Sequence, residues 1–226
     1  PVLPWVDGAD LTTLDRVIEE GEKIGYPLLL KGNEGGAGRQ NRIALNREQL
    51  TYAWRVTHGD FENHGGWHLT KMAQDVQHVE IQIVGDRYGN VAAIGDRNCS
   101  VQRKYQKGLE ETTSFSAEEI EPLYEAAMRV AAGYTGLGTV EFLVDQEGEI
   151  YFIEFNTRPQ VEHPVSEGQT GIDQLGLQYK LAEGYQLDKS KIERKPGHTM
   201  EVRLFFRQGG RIEDIGLYGN EDLPVN

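Results

Sequence analysis

Two short apolar segments near the middle of the chain each carry a glutamate where an apolar side chain would pack better. They lie within VEFLVDQEGEIYFIEFN, residues 140 to 156, and alternate around a Gly-containing turn, which predicts a β-hairpin. If Asp145 pairs with Ile150, across a loop of two or four residues, Glu141 lies directly opposite Glu154. Opposed Cβ atoms are roughly 5 Å apart and like charges there repel, so a cation between the two carboxylates would stabilise the pair.

Asn156 lies one step further along the same predicted face and adds a neutral oxygen ligand. Carboxylate and amide oxygens suit Mg²⁺ or Mn²⁺ bound together with phosphate groups. The alternative is that this face is open to water and that both glutamates are simply solvated. The hairpin therefore predicts either a metal site at Glu141, Glu154 and Asn156 or a solvated sheet face.

The segment NTRPQVEHP, residues 156 to 164, follows the second strand of this hairpin. An extended backbone would place Arg158, Gln160 and Glu162 on one face. The guanidinium of Arg158 offers a planar fork for carboxylate or bicarbonate, and Glu162 is a candidate general base. The alternative is that Arg158 and Glu162 only pair with each other.

A Gly-rich segment, KGNEGGAGRQNR at residues 31 to 42, comes directly after a predicted strand. Glycines let a backbone approach phosphate closely, and Lys31 supplies a positive charge. The segment is not a P-loop, because G-x-x-x-x-G-K-[ST] is absent and the lysine precedes the glycines. A flexible turn without a ligand is the alternative.

Composition limits the classes of partner. The 226 residues carry a formal net charge of −13, which argues against nucleic acid or an anionic membrane as a partner. The sequence has neither an apolar stretch of about 18 residues nor a basic, apolar leader, so we expect a soluble protein. Cys99 is the single cysteine and favours a reducing compartment. Positive charge is clustered at positions that could bind a small anion: Arg97, Arg103, Lys104 and Lys107.

Helices and hairpins interleave without regular βαβ units, which predicts an α+β fold. Helices are predicted over residues 10 to 24, 46 to 56, 116 to 134 and 173 to 183, with Asn46 as an N-cap and Ser116 and Glu119 as a capping box. A second hairpin is predicted around GDRYGN. Because a strand, HTMEVRLFF, is followed by a Gly-rich tail that stops abruptly, we expect the chain to be part of a larger polypeptide.

Three segments together resemble the ATP-grasp portion of biotin carboxylase: HVEIQIVGDRYGN, CSVQRKYQK and EFNTRPQVEHPVSEGQTGID. The resemblance covers about residues 1 to 205. It implies an ATP-grasp fold within the α+β class. A small lid lobe with the Gly-rich loop would occupy residues 1–72, and a larger antiparallel-sheet lobe, truncated at its C-terminal part, would occupy residues 73–226.

The resemblance also implies roles by position. Nucleotide would be bound by Lys31, Gly35, Gly36, Gly38, His78, Gln102, Glu141 and Glu154. Mg²⁺ or Mn²⁺ would be bound by Glu141, Glu154 and Asn156. Bicarbonate and biotin would be surrounded by Lys107, Arg158, Gln160, Val161 and Glu162, of which Lys107, Arg158 and Glu162 would be catalytic.

The implied reaction is ATP-dependent carboxylation of biotin by bicarbonate through carboxyphosphate, as in fatty acid biosynthesis. Biotin would arrive on a carrier protein, a carboxyltransferase component would be the partner, and a homodimer would need the missing flanks. The expected location is the cytoplasm, or the mitochondrial or plastid matrix. Two alternatives stay open. Another ATP-grasp ligase, of the carboxylate-amine type, would use the same metal hairpin on a different acceptor. Departures from the family at Ala37, Gln40 and Tyr105 would instead fit a catalytically impaired ATP-binding module.

Overall fold

The computed structural model describes residues 1–33, 41–62, 65–103 and 106–204. The helices are α1 (Leu14–Ile24), α2 (Arg47–Glu62), α3 (Ala117–Val130), α4 (His163–Thr170) and α5 (Gln174–Ala182). The strands are β1 (Trp5–Asp7), β2 (Leu28–Gly32), β3 (Arg42–Ala44), β4 (Trp67–Lys71), β5 (Gln77–Gly85), β6 (Val91–Arg103), β7 (Gln106–Glu111), β8 (Gly136–Val144), β9 (Ile150–Asn156) and β10 (Met200–Val202). None of the described helices combines the length and apolar composition that a membrane span requires.

The described strands pair antiparallel in two sheets. The four-stranded sheet has the order β1-β4-β2-β3, and its apolar side chains share a core with those of α1 and α2. The six-stranded sheet has the order β10-β7-β6-β5-β8-β9. This arrangement of helices with antiparallel sheets agrees with the predicted α+β class. The boundary between lobes after residue 72 stays a prediction.

The two faces of the six-stranded sheet differ in character. On β5, Val79, Ile81 and Ile83 alternate toward a core shared with α3, so Glu80 and Gln82 point to the other face. That second face is apolar only at one end, where side chains of β5, β6 and β8 pack against α5. The other end of the same face carries the polar and charged side chains that form the candidate site.

Two predicted helix caps are confirmed. Asn46 accepts a hydrogen bond at the start of α2, and Ser116 with Glu119 forms the predicted capping box of α3. The predicted start of α1 at residue 10 was too early, because the hydroxyl of Thr13 caps the helix instead. The short side-chain acceptors therefore fixed helix starts more reliably than apolar spacing did.

The hairpin of β8 and β9 places Glu141 opposite Glu154, as predicted, but by a different register near the turn. Val144 pairs with Ile150, so the predicted pairing of Asp145 with Ile150 is wrong and the loop has five residues. A register shift beside Glu141 inserts one extra residue on β9 and brings the two glutamates opposite each other. The bulge therefore restores the opposition that a regular hairpin would have lost.

Gly95 lets α4 lie directly on β6. Its φ is +145°, and a Cβ built there would be 2.7 Å from Ser166 Cβ and 2.8 Å from Gln169 Oε1. We expect Gly95→Ala to lower the free energy of unfolding by about 1–3 kcal/mol, because backbone strain and overpacking act together. Urea unfolding measures this change in the free energy of unfolding. In the matched variant Gly59→Ala, on α2, the new Cβ meets no described atom within 4 Å. Equal stability of the two variants would contradict the prediction.

Candidate active site

A row of charged side chains crosses four neighbouring strands of the six-stranded sheet. Arg97 on β6 is opposite Glu80 on β5, Glu80 is opposite Glu141 on β8, and Glu141 is opposite Glu154 on β9. The first three are buried and Glu154 is exposed. Because three adjacent carboxylates repel one another, the row needs further positive charge.

Lys107 on β7 supplies part of that charge. Its Nζ contacts Oε1 of Glu80 and Oε1 of Glu162, and lies 3.6 Å from Oε1 of Glu141. Burial alone would lower the pKa of Lys107, but the carboxylates of Glu80 and Glu141 raise it well above its ordinary value. The ammonium therefore stays charged and is shared by three carboxylates.

Glu141 lies at the centre of the row and accepts hydrogen bonds from several side chains. Its oxygens are 2.7 Å from His78 Nε2, 2.8 Å from Asn156 Nδ2 and 3.0 Å from Gln160 Nε2. Gln102 Nε2 is 2.6 Å from His78 Nδ1. Because an amide nitrogen donates a hydrogen bond, His78 Nδ1 accepts it and the ring N–H is on Nε2. That Nε2–H donates a hydrogen bond to Glu141. Burial alone would raise the pKa of Glu141, but the hydrogen bond from His78 and the nearby ammonium lower it.

The donor set at the open end of the row fits a divalent metal. Asn156 Nδ2 donates to Oε1 of Glu141 at 2.8 Å and to Oε1 of Glu154 at 3.0 Å, so both carboxylates converge on one side chain. Turning that amide by 180° would present its Oδ1 beside two carboxylate oxygens, a set that Mg²⁺ prefers. His78, Glu80 and Glu141 also hold ligand atoms within 4.8 Å of one another, but the ammonium of Lys107 lies against that second set and would repel a cation.

Glu162 reaches the site from the start of α4, a helix that the sequence did not predict. The extended backbone expected for residues 156 to 164 is wrong, because α4 begins at His163 and Pro164 fits its first turn. Glu162 Oε2 is 2.7 Å from Arg203 Nη2, and its Oε1 contacts Lys107. Burial and the charge of Glu80 would raise the pKa of Glu162, but Lys107 lowers it below its ordinary value. The carboxylate is therefore ionised at neutral pH.

Several predicted residues lie apart from this cluster. Arg158 is exposed, donates to the carbonyl of Pro159 and lines a cavity of about 410 Å³ beside α5. Val161 is 64% exposed, and Lys31 lies on β2 of the four-stranded sheet. Their predicted roles stay predictions. The remaining residues singled out from the sequence lie outside the described part of the chain: Gly35, Gly36, Gly38, Ala37, Gln40, Lys104 and Tyr105.

Three charged residues of the site differ from the sequence-based predictions: the role predicted for Arg97 is wrong, and Glu80 and Arg203 were not predicted to be site residues. Arg97 was grouped with cations for a small anion, which is wrong, because its buried guanidinium is bound to Glu80. Glu80 alternates with apolar residues just as Glu141 does, so the same argument could have found it. Arg203 alternates with Val202 and Leu204 in the same way, but it lies beyond the end of β10 and this pattern does not identify its partners.

Glu110 on β7 is a buried carboxylate beside the cluster. Arg203 Nη2 is 2.7 Å from its Oε1, yet neither oxygen receives a hydrogen bond within the described chain. Burial raises the pKa of Glu110 to about 7, against the lowering by Arg203. A folded-state pKa above the unfolded value gives stability that is complete below about pH 4.5 and is lost as pH rises through about 7.

Glu110→Gln should remove the loss of stability that occurs as pH rises through about 7, because an amide does not titrate. The free energy of unfolding of the variant, relative to the unmodified protein, is expected to rise by about 1–2 kcal/mol between about pH 5 and about pH 8. Urea unfolding across this range measures it. Glu118→Gln, at an exposed position of α3, controls for the lost charge. A difference that falls as pH rises would contradict the assignment.

Comparisons with known proteins identify the family of this chain. The family model of the carbamoyl-phosphate synthase L chain, ATP binding domain, matches residues 2–190. Biotin carboxylase 1 of Bacillus subtilis is 39% identical over 214 residues, which cover 90% of this chain and 47% of that protein. The 2-oxoglutarate carboxylase small subunit of Hydrogenobacter thermophilus is 38% identical over 214 residues, with 90% and 45% covered. The chain spans about half the length of the curated relatives it matches.

Two solved structures show the same fold. A biotin carboxylase in a β-γ-ATP complex from Campylobacter jejuni has a TM-score of 0.83 and 39% identity, with 90% of this chain and 47% of that chain covered. The biotin carboxylase domain dimer of Hydrogenobacter thermophilus 2-oxoglutarate carboxylase, with MgADP, ADP and bicarbonate, has a TM-score of 0.81 and 38% identity, with 90% and 46% covered. The ATP-grasp fold predicted from the sequence is therefore confirmed.

Proposed function

Because the chain belongs to the family of the carbamoyl-phosphate synthase L chain ATP-binding domain, and its predicted resemblance to biotin carboxylase is confirmed, we propose that it carries the site of a biotin carboxylase. The reaction joins bicarbonate to biotin with ATP as the energy source. The observation that carries the proposal is the contact of the ionised Glu162 with the ammonium of Lys107, which also contacts Glu80 of the charged row.

Glu141, Glu154 and Asn156 would hold Mg²⁺, which neutralises charge on the triphosphate oxygens when it is bound. His78 holds Glu141 in place by its hydrogen bond, and Gln102 fixes the tautomer of that histidine. Lys31 would contact phosphate from the other sheet. Together these residues orient the γ-phosphate without making a covalent bond to it.

Bicarbonate would lie beside Lys107, with its hydroxyl facing Glu162. Glu162 accepts the hydroxyl proton while a bicarbonate oxygen forms a bond to the γ-phosphorus, and the bond from that phosphorus to the bridging oxygen of ADP breaks. The product is carboxyphosphate, which divides into CO₂ and phosphate. The ureido nitrogen of biotin gives its proton to that phosphate and forms a bond to the carbon of CO₂. The site must exclude water, because carboxyphosphate hydrolyses.

Phosphate release by the full-length protein tests the proposal. We expect release from Mg-ATP to depend on bicarbonate and to increase when free biotin is added. Stimulation by an amine acceptor in place of biotin would favour a carboxylate-amine ligase. Calorimetric binding of Mg-ATP without any release of phosphate would favour an impaired ATP-binding module.

Partners and location belong to the same proposal. The biotin would be attached to a carrier protein, and a carboxyltransferase component would receive the carboxyl group. The biotin carboxylase domain of Hydrogenobacter thermophilus 2-oxoglutarate carboxylase is a dimer, which supports a homodimer of the full-length protein. We propose that the protein works in the cytoplasm or an organelle matrix, and a single, buried cysteine is compatible with such a reducing compartment. Fractionation of the source cells tests this location.

A further inference from the structure

Arg97 is a buried cation that lies behind the candidate site. Its side chain is 0% exposed, so it cannot touch a nucleotide or bicarbonate in this arrangement. Its guanidinium donates hydrogen bonds of 2.8 to 3.2 Å to Glu80, Gln82, Thr139, Gln160 and Ser166. These partners come from two strands, β5 and β8, from the segment before α4 and from α4 itself, so the Arg97 side chain joins the site to the elements that support it.

The contact with Glu80 is the strongest of these links. Nε and Nη2 of Arg97 both donate to Oε2 of Glu80, at 3.1 and 3.0 Å. The other oxygen, Oε1, is left to contact the ammonium of Lys107. Burial removes the hydration of both ions, and only well-placed hydrogen bonds between them offset that cost in free energy. Arg97 therefore fixes the plane of the Glu80 carboxylate, and that plane fixes the position of the Lys107 ammonium.

Gln160 forms a second link from Arg97. A guanidinium can only donate, so Gln160 must turn its Oε1 toward Arg97 Nη2, at 3.2 Å. Its Nε2 then faces Oε1 of Glu141, at 3.0 Å. Glu141 is also held by His78 and Asn156, whereas Glu80 accepts hydrogen bonds only from Arg97 and Lys107 among the described residues. Loss of the Arg97 fork would therefore disturb Lys107 more than it disturbs Glu141.

We propose that Arg97 is a positioning residue that acts through Glu80 to hold Lys107 against Glu162, a role that rests on the proposed function. It touches no substrate. Its effect belongs to the bicarbonate step rather than to nucleotide binding, since the predicted metal ligands keep their other hydrogen bonds when it is changed.

Arg97→Lys in the full-length protein tests the proposal, because lysine keeps the charge and loses the fork. We expect kcat of bicarbonate-dependent ATP hydrolysis to fall about 10- to 100-fold, with KM for Mg-ATP changed by less than about threefold. Ser166→Ala is the matched control, since it removes one Arg97 hydrogen bond on the α4 side. It should lower Tm and leave kcat within about twofold. Equal kcat losses in both variants would overturn the proposal.

A second readout does not depend on activity. Reductive methylation followed by mass spectrometry measures how fast an amine reagent reaches Lys107, whose side chain is 14% exposed. We expect the rate to rise about tenfold or more in Arg97→Lys and to stay unchanged in Ser166→Ala, because only the first variant frees Glu80 from its position. An unchanged rate in Arg97→Lys would overturn the positioning role even if the unmodified protein lacked the proposed activity.

Glu80→Gln keeps the proposal testable if Arg97→Lys does not fold. Glutamine has the same shape and still accepts from Arg97, but it no longer holds Lys107 by charge. Because Arg97 acts through Glu80, this variant should show the same signature, with kcat reduced about 10-fold or more and KM for Mg-ATP nearly unchanged. Full kcat in Glu80→Gln would overturn the proposal.

Discussion

Replacing Glu162 by glutamine is expected to reduce bicarbonate-dependent ATP hydrolysis by about 10²- to 10⁴-fold, the usual range for loss of a general base. The amide has the size of the carboxyl group but accepts no proton. Lys107 keeps its contact with Glu80, and Arg203 remains 2.7 Å from Glu110, so each cation keeps another carboxyl partner. The variant should therefore fold and lose the chemical step alone.

Steady-state phosphate release with saturating bicarbonate measures the effect of Glu162→Gln. Calorimetry should find Mg-ATP binding retained, because Glu141 and Glu154 are intact. Glu147→Gln, at an exposed position in the β8–β9 loop, is the matched control and should keep the full rate. A Glu162→Gln protein that turns over at the unmodified rate would remove the general base from the mechanism.

Replacing Lys107 by methionine is expected to lower the free energy of unfolding by about 3–5 kcal/mol, since one partner of a buried charge cluster is removed. Glu80 and Glu162 lose a direct contact with the ammonium, and Glu141 loses a charge 3.6 Å away. Methionine fills most of the space left by the lysine stem, so the loss reports charge rather than a cavity. Activity should be abolished as well.

Lys23→Met is the matched control for Lys107→Met. Lys23 also contacts two glutamates, at 2.8 and 2.9 Å, but it lies on an exposed face of α1. Its replacement should change the free energy of unfolding by less than about 1 kcal/mol. Urea unfolding of both variants measures the difference. Equal losses of unfolding free energy in the two variants would show that burial of the charges around Lys107 does not increase their contribution to stability.

The parts of the fold that were predictable from the sequence depend on residues close together in the chain. The capping box of Ser116 and Glu119 and the N-cap at Asn46 depend on a few adjacent side chains. The opposition of Glu141 and Glu154 was also predicted, although the register near the turn was not. A bulge depends on the twist of the whole sheet, so spacing within the hairpin cannot reveal it.

The parts of the site that the sequence did not predict depend on contacts between distant segments. Glu80 and Arg97 are opposed on neighbouring strands, and their burial follows from the way α4 covers that sheet face. A charged residue in isolation is most often solvated, so an arginine beside a hairpin gives no sign that it will be buried. Arg203 reaches Glu162 from a segment 41 residues away.

The fate of a bicarbonate oxygen tests the central claim most directly. With oxygen-18 bicarbonate in unlabelled water and short reaction times, the bond formed between bicarbonate oxygen and γ-phosphorus should survive when carboxyphosphate divides. We predict one labelled oxygen in each phosphate released by the full-length protein, seen by mass spectrometry. Phosphate without label would mean that water attacks ATP, which would contradict the assignment of Glu162 and Lys107 to bicarbonate activation.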